Sequence, residues 1–253
     1  MKVISFENVS AWYGNLLALE NVNFQIEEKD FTGIIGPNGG GKSTLLKILL
    51  GLKKPDIGKV TVNPDCKNLI LGYVPQFTTF SKDFPINVMD VVLMGLIRNK
   101  KFPFIKFTNE DKEKSIYVLE KVGIANLKDR KINSLSGGQL QKVMIARALV
   151  ADPHILVLDE PVSNIDAKSE TEIYELLKNM NNYMTIVMVS HNTAMISTYF
   201  KTLLCVNKNV YHHQKDEMDM ETLERIYGCP MELFAHGKIP HRIMRNHKGV
   251  LNA

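Results

Sequence analysis

A glycine-rich run between a predicted strand and a predicted helix constrains this 253-residue chain more than any other feature. The apolar segment Phe31 to Ile35 is predicted as a short strand, and a helix is predicted from Lys42 to Leu50, where Gly51 ends it. The run between them fits the pattern G-x-x-x-x-G-K-[ST], and it consists of Gly36, Pro37, Asn38, Gly39, Gly40, Gly41, Lys42, Ser43 and Thr44. Strand, glycine loop and helix in that order indicate a phosphate-binding loop on an α/β protein.

Two more motifs follow downstream. The run Ser136, Gly137, Gly138 and Gln139 directly precedes a predicted helix. Farther on, the acids Asp159 and Glu160 follow the apolar segment Ile155 to Leu158. A phosphate loop alone indicates only a nucleotide. With these two motifs in this order, the chain resembles the ATP-binding-cassette (ABC) family over most of its length.

The pattern of apolar residues predicts a mostly parallel sheet with helices on both faces, because strand-like and helical segments alternate. Predicted strands are Val3–Phe6, Ala18–Ile26, Phe31–Ile35, Val60–Val62, Leu69–Val74, His154–Leu158, Met184–Ser190 and Thr202–Val206, with a further short one from Val210. Predicted helices after the first are Asn87–Ile97, Asn109–Val122, Gly138–Val150, Ala167–Met180 and Met220–Tyr227.

The resemblance implies an α/β fold of a more specific kind. It is a P-loop NTPase (RecA-like) core with an N-terminal antiparallel β subdomain and an inserted α-helical subdomain. We expect the ABC ATPase domain at 1–228, with the helical subdomain at about 77–152, and a C-terminal tail at 229–253.

The phosphate loop and the two acids suggest how ATP and Mg²⁺ would be bound and hydrolysed. Backbone N–H groups from Gly39 to Ser43 can surround the β-phosphate, and the positive end of the following helix adds to their field. Lys42 would reach the β- and γ-phosphates, the Ser43 hydroxyl would bind Mg²⁺, and Thr44 would support the α-phosphate. At the carboxyl end of its strand, Asp159 would hold Mg²⁺ through water, and Glu160 would polarise the attacking water as general base.

Other roles come from the resemblance. It implies that Gln76 touches Mg²⁺ and the attacking water, and that His191 contacts the γ-phosphate. It also implies that an aromatic residue stacks on adenine; Tyr13 matches that position, and Trp12 is the alternative, on the opposite face of the strand.

The signature run Ser136 to Gln139 forms a second anion-binding helix start. In the family, each copy's signature caps the ATP held by the other copy in a head-to-tail dimer. Ser163 to Asp166 resembles the loop that crosses this interface, where Asp166 would communicate between the sites. Asn164 departs from the alanine that is more usual there.

The composition limits which partners and which cellular location we expect for this chain. A net charge of +4 is too mild and too evenly spread to indicate nucleic acid binding. Three widely separated cysteines predict free thiols, and neither a secretory signal nor an apolar stretch of membrane-spanning length occurs. We therefore expect a cytoplasmic protein. The resemblance to the ABC family implies that it is peripheral on the inner face of the cell membrane through a separate integral-membrane permease, and that it is linked indirectly to an extracytoplasmic solute-binding protein.

The sequence constrains the transported substrate less than it constrains the fold or the ATP site. The segment Asp83 to Gly95 is similar to that of zinc- and manganese-type metal importers, and this favours import of a divalent metal. Another substrate such as a siderophore or cobalamin stays open, as do a non-transport ABC ATPase and a nucleotide-binding regulator without turnover. Five histidines lie near the C-terminus, where solvated side chains are favoured over a metal-sensing tail: His212, His213, His236, His241 and His247.

Overall fold

The computed structural model describes residues 1–63, 69–76, 85–99, 106–163, 165–192 and 195–214, together with the backbone of 232–234 and 241–243. Its strands are β1 (Lys2–Tyr13), β2 (Leu16–Glu27), β3 (Phe31–Ile35), β4 (Ile57–Val62), β5 (Leu71–Val74), β6 (Ile155–Asp159), β7 (Thr185–Val189), β8 (Thr202–Asn207), β9 (Asn209–Gln214), β10 (Glu232–Phe234) and β11 (His241–Ile243). Its α-helices are α1 (Lys42–Leu49), α2 (Val88–Leu93), α3 (Asn109–Lys121), α4 (Gly137–Leu149), α5 (Ala167–Met180) and α6 (Ile196–Tyr199).

A six-stranded sheet carries the phosphate loop. Its strand order is β5-β6-β7-β3-β8-β9, and every neighbouring pair is parallel except β8 with β9. Strands β3, β6 and β7 are buried nearly throughout, as expected for parallel strands covered on both faces. The predicted α/β fold is confirmed.

A second, antiparallel sheet has the order β2-β1-β4. Strands β1 and β2 form a long hairpin around Gly14, whose φ of 57° suits a tight turn. Strand β1 extends well beyond the predicted segment Val3–Phe6, whereas β2 begins only slightly before the predicted Ala18, because pairing continues to Tyr13 and Leu16 on either side of the turn. This sheet is the expected N-terminal antiparallel part of the fold.

Alternation along the parallel strands divides the core into two layers. Ile155 and Val157 of β6 face the layer that contains helix α1 and the antiparallel sheet. Leu156 and Leu158 face the other layer, which contains α2 to α5. Because successive side chains of a strand point to opposite faces, one apolar strand serves both layers.

The helical stretch between β5 and β6 contains α2, α3 and α4 in its described part. The predicted helix Asn87–Ile97 differs from the observed one, since α2 ends at Leu93 and continues as a 3₁₀ turn, Met94–Asn99. Gly95 lies in that turn against the carbonyl oxygen of Arg147 on α4, where a Cβ atom would collide. A 3₁₀ turn therefore stands in place of the last predicted α-helical turn, at a point where the backbones of the turn and α4 approach closely.

Some expectations fall outside the described residues. These are the helix Met220–Tyr227, the departure at Asn164, the thiols Cys66 and Cys229, and the side chains of His236, His241 and His247. Cys205 is a free, buried thiol, as predicted. In the part of the chain that the structure covers, no helix is long and apolar enough to cross a bilayer, and no group of His, Cys, Asp and Glu side chains is arranged to hold a metal ion.

Candidate nucleotide site

The strand order brings four predicted site segments to one edge of the parallel sheet. Adjacent strands β5, β6, β7 and β3 end there, and they are followed by Gln76, Glu160, His191 and Gly36, respectively. Register confirms the alignment: Asp159 at the end of β6 pairs with Val189 of β7, which in turn pairs with Ile34 of β3. Crevices at the carboxyl ends of parallel strands are where such sheets bind ligands.

Glu160 is the centre of this cluster. Its Oε2 accepts a hydrogen bond from Gln76 Nε2 at 2.6 Å, and its Oε1 lies 2.7 Å from His191 Nε2. The backbone of Glu160 is left-handed, with φ 47°, a conformation that non-glycine residues adopt rarely and often at functional sites. Hydrogen bonds to its main chain fix this turn: its N–H donates to Val189, and its carbonyl accepts from the hydroxyl of Ser163.

Lys42 and Asp159 lie near enough to influence each other's charge. Burial lowers the pKa of Lys42, while the charges of Glu160 and Asp159 oppose that shift. Burial raises the pKa of Asp159, and the charge of Glu160 raises it further, against the effect of Lys42. Lys42 donates from Nζ to the carbonyl oxygens of Gly36 at 2.9 Å and Pro37 at 3.0 Å. The cluster is therefore a partly buried group of opposite charges in which an added cation would be favoured beside Asp159.

The glycine loop is tightly packed on one side and open on the other. A Cβ atom on Gly36 would collide with the carbonyl oxygen of Val206 on β8, and one on Gly40 would lie 2.7 Å from that same oxygen. The N–H of Lys208 donates to Gly40 at 2.8 Å. A Cβ on Gly39 would meet no atom within 4 Å. Strand β8 thus supports the loop from behind and leaves its Gly39 side open to a ligand.

Helix α1 begins at Lys42, and its N-cap residue, Gly41, offers no side chain to cap it; its first turn has no acidic residue. Its first N–H groups are therefore not satisfied by a capping side chain, and they point toward the place where an anion would bind. Residues Ser43 and Thr44 lie in this first turn, as the sequence predicted.

Tyr13 lies at the end of the β1–β2 hairpin with 46% of its surface exposed. Its ring has Lys53 Nζ at 5.2 Å and Lys47 Nζ at 5.8 Å from the centroid. The side chain of Trp12 is partly buried, and the backbone N–H of this residue donates to Asp56 Oδ2 at 2.8 Å. The exposed ring of Tyr13 is the more accessible stacking surface of the two.

The signature run and Asp166 form a second group. Ser136 caps α4 in a capping box, in which its Oγ accepts from Gln139 N and Gln139 Oε1 accepts from Ser136 N. Asp166 caps α5 by accepting hydrogen bonds from Ser169 N at 3.0 Å and Ser169 Oγ at 2.7 Å. The two helix starts meet at Gly138, where a Cβ atom would lie 2.5 Å from Ser169 Oγ.

Sequence reasoning missed the residues that support His191. Ser190 and Asn192 on either side of it are hydrogen-bonded to Tyr174 and Glu170 of α5. No local pattern signals these contacts, because the partners lie 16 and 22 residues apart.

Comparisons with known proteins agree with this arrangement. A family model described as ABC transporter matches residues 19–163. The zinc uptake system ATP-binding protein ZurA of Listeria innocua is 39% identical over 238 residues, covering 88% of this chain and 92% of that protein. A solved structure described as a metal-chelate type ABC transporter in an inward-facing conformation has a TM-score of 0.86 and 31% identity, and the match covers 96% of each chain.

A further solved structure, a dimeric bacterial ABC transporter cassette, has a TM-score of 0.68 at 28% identity, covering 84% of this chain and 98% of that one. The family model spans more than half of the chain, and the zinc-uptake relative matches most of it. The chain therefore belongs to the ABC transporter family, as an ATP-binding protein that hydrolyses ATP.

Proposed function

We propose that this protein is the ATPase subunit of a divalent-metal importer and that it powers uptake of a metal such as zinc or manganese through a separate permease. The observation that carries the catalytic part is the Glu160 carboxylate, bonded to Gln76 and close to His191 at the strand ends beside the phosphate loop. The metal substrate is supported by the similarity to a zinc uptake ATP-binding protein across most of both chains.

The residues at the strand ends fit Mg²⁺ bound with ATP. Asp159 is a partly buried carboxylate whose pKa is raised by burial and by Glu160, and a nearby cation would relieve both effects. Carboxylate, hydroxyl and amide oxygens are ligands that Mg²⁺ prefers. Asp159, Ser43 and Gln76 are the residues that would hold it. When bound, Mg²⁺ neutralises developing charge on the phosphates.

Side chains and backbone groups of the protein would bind the phosphates, activate the water and hold the base. Lys42 and the N–H groups at the start of α1 bind the phosphates, and the open side of Gly39 lets the chain approach them closely. Glu160 accepts a proton from the attacking water, while Gln76 and His191 orient its carboxylate from two sides. Tyr13 offers its exposed ring to adenine. Hydrolysis therefore depends on positioning and charge more than on covalent chemistry.

A head-to-tail dimer would complete each site. The capping box engages the N–H groups of Ser136 and Gln139, so Gly137 and Gly138 between them would offer theirs to a phosphate held by another copy. The dimeric cassette of 28% identity supports this assembly. Asp166, at the adjoining start of α5, would then sense the second copy.

A reconstituted complex tests the proposal. The chain is co-purified with its permease, placed in liposomes, and assayed for ATP-dependent uptake of zinc, manganese, cobalamin and an iron–siderophore. We expect uptake of zinc or manganese, and no uptake with Glu160→Gln in place of the wild type. Uptake of cobalamin or siderophore alone would contradict the metal assignment. ATPase stimulation by DNA or ribosomes, without any by the permease, would contradict the transport role.

A further inference from the structure

Helix α5 holds the chain on both sides of His191. Before the histidine, the hydroxyl groups of Ser190 and Tyr174 are hydrogen-bonded at 3.0 Å. After it, the side-chain amide of Asn192 donates to Glu170 Oε1 at 2.8 Å. The N–H of Asn192 also donates to Ser190 Oγ at 3.1 Å, which closes the turn around the histidine. His191 is therefore held by a clip whose fixed points both lie on α5.

The buried half of this clip is specific in its geometry. Tyr174 is 0% exposed and Ser190 is 1% exposed. The ring of Tyr174 is stacked on Tyr199, with centroids 4.9 Å apart, and meets Phe200 edge-on. Packing thus fixes the ring and aims its hydroxyl at Ser190. A phenylalanine would fill the same space, so the hydroxyl matters mainly through its hydrogen bond.

The two residues of α5 that hold the clip lie on the same face of the helix as its N-cap residue. Asp166, Glu170 and Tyr174 follow one another at intervals of four residues, so they share one face of α5. Asp166 caps the helix, Glu170 holds Asn192, and Tyr174 holds Ser190. A displacement at the Asp166 end would move both fixed points of His191, because a short helix moves as a rigid unit.

We propose that Tyr174 and Glu170 are positioning residues for His191, and that through them α5 couples the Asp166 end of the helix to the histidine beside Glu160. The inference rests on the proposed role of His191 in hydrolysis. Neither residue belongs to the set proposed to bind the nucleotide. They act by setting where the imidazole lies relative to the Glu160 carboxylate, 2.7 Å away.

A double-mutant cycle on ATP turnover tests this inference. Tyr174→Phe removes one hydrogen bond, and we expect kcat to fall about three- to tenfold, the effect of a single such bond. The KM for ATP should change less than twofold, because the phosphate loop and Tyr13 are untouched. In a His191→Ala background, Tyr174→Phe should have no further effect, because the residue it positions is gone.

Tyr199→Phe is the matched control. Tyr199 stacks on Tyr174 and also binds α5, through a hydrogen bond from its hydroxyl to Glu175 at 2.9 Å, but the partner in that bond is not one of the residues next to His191. We expect its kcat to stay within twofold of the wild type. Glu170→Ala removes the second contact, the hydrogen bond to Asn192, at a half-buried position. If Tyr174→Phe fails to fold, the kcat of Glu170→Ala tests the positioning role in its place.

The outcomes separate the inference from the proposed function. A wild-type kcat in the folded clip variants, or a loss that adds fully to that of His191→Ala, would overturn the positioning role alone. A wild-type kcat for His191→Ala would instead overturn the role of His191 itself, and the inference with it. An equal loss in Tyr199→Phe would mean that the effect is general destabilisation, and this would also overturn the inference.

Discussion

Gln76 donates a hydrogen bond to Glu160 at 2.6 Å although 84 residues separate them in the chain. The contact exists because β5 and β6 are neighbouring parallel strands, so the residues after them meet at one edge. The described stretch with α2 to α4 lies between the two residues in sequence. A displacement of Gln76 would therefore change a direct contact of the Glu160 carboxylate.

Replacing Glu160 by Gln should remove hydrolysis and preserve nucleotide binding. An amide cannot accept the proton of the attacking water, so kcat should fall about 10²- to 10⁴-fold. Phosphate release measures turnover, and a fluorescent ATP analogue measures binding. Glu7→Gln, at an exposed side chain of β1 that is paired with Lys59, is the control that should keep both. Near-normal turnover in Glu160→Gln would contradict the assignment of the base.

Lys42→Ala should weaken nucleotide binding itself. The lysine is 7% exposed at the start of α1, and it would exchange its bonds to Gly36 and Pro37 for the phosphates. A hydrogen bond to a charged group contributes about 1.5–3 kcal/mol, so we expect Kd for ATP to rise about 10- to 100-fold. Calorimetric titration measures this, with the exposed Lys59→Ala as control. Unchanged affinity would exclude Lys42 from phosphate binding.

Alanine at two glycines of the same loop should have different consequences, mainly for stability at Gly36 and mainly for ATP binding at Gly39. At Gly36, where φ is 145°, the new Cβ would collide with Val206, and unfolding stability should fall by about 3 kcal/mol or more. At Gly39, φ is 77° but the space is empty, so stability should fall by only about 1–2 kcal/mol. The Gly39 variant should nevertheless bind ATP poorly, because its methyl group projects into the open side of the loop. Denaturant unfolding and ATP titration of both variants distinguish the two effects, and equal stability losses would contradict the packing described for β8.

Cys205 provides a test of the buried strand that supports the loop. Burial raises the pKa of its thiol from 9.0 to about 12, so the thiol ionises more readily in the unfolded chain. The contribution of this thiol to the free energy of unfolding is therefore present in full below pH 9, and it is lost progressively between pH 9 and about 12. At pH 10 the loss from this group should be about 1.4 kcal/mol.

Comparison with Cys205→Ala isolates that contribution. Urea unfolding at pH 8 and pH 10 should show a steeper loss of stability in the wild type than in the variant. Parallel losses in the two proteins would mean that the thiol is solvated in the folded state.

The strand–loop–helix unit was predictable because its signals are local. Phe31–Ile35 is a strand at the predicted bounds, and α1 ends at Leu49, one residue before the predicted end. The strand order was not predictable, since it depends on pairing between distant segments such as β3 with β8. For that reason the packing of Gly36 on Val206 and the contacts of Tyr174 and Glu170 with the residues beside His191 emerged only in three dimensions. The roles assigned to the site residues stay predictions until the variants above are measured.

The central claim is that two copies enclose ATP, each completing the site of the other. The most direct test is the mass in solution of Glu160→Gln with and without saturating ATP and Mg²⁺, measured by sedimentation equilibrium with and without the permease. We expect the nucleotide to convert a 28.6 kDa monomer into a particle of twice that mass, and Ser136→Arg to prevent the conversion. A Glu160→Gln protein that binds ATP but stays monomeric, even with the permease present, would contradict the account.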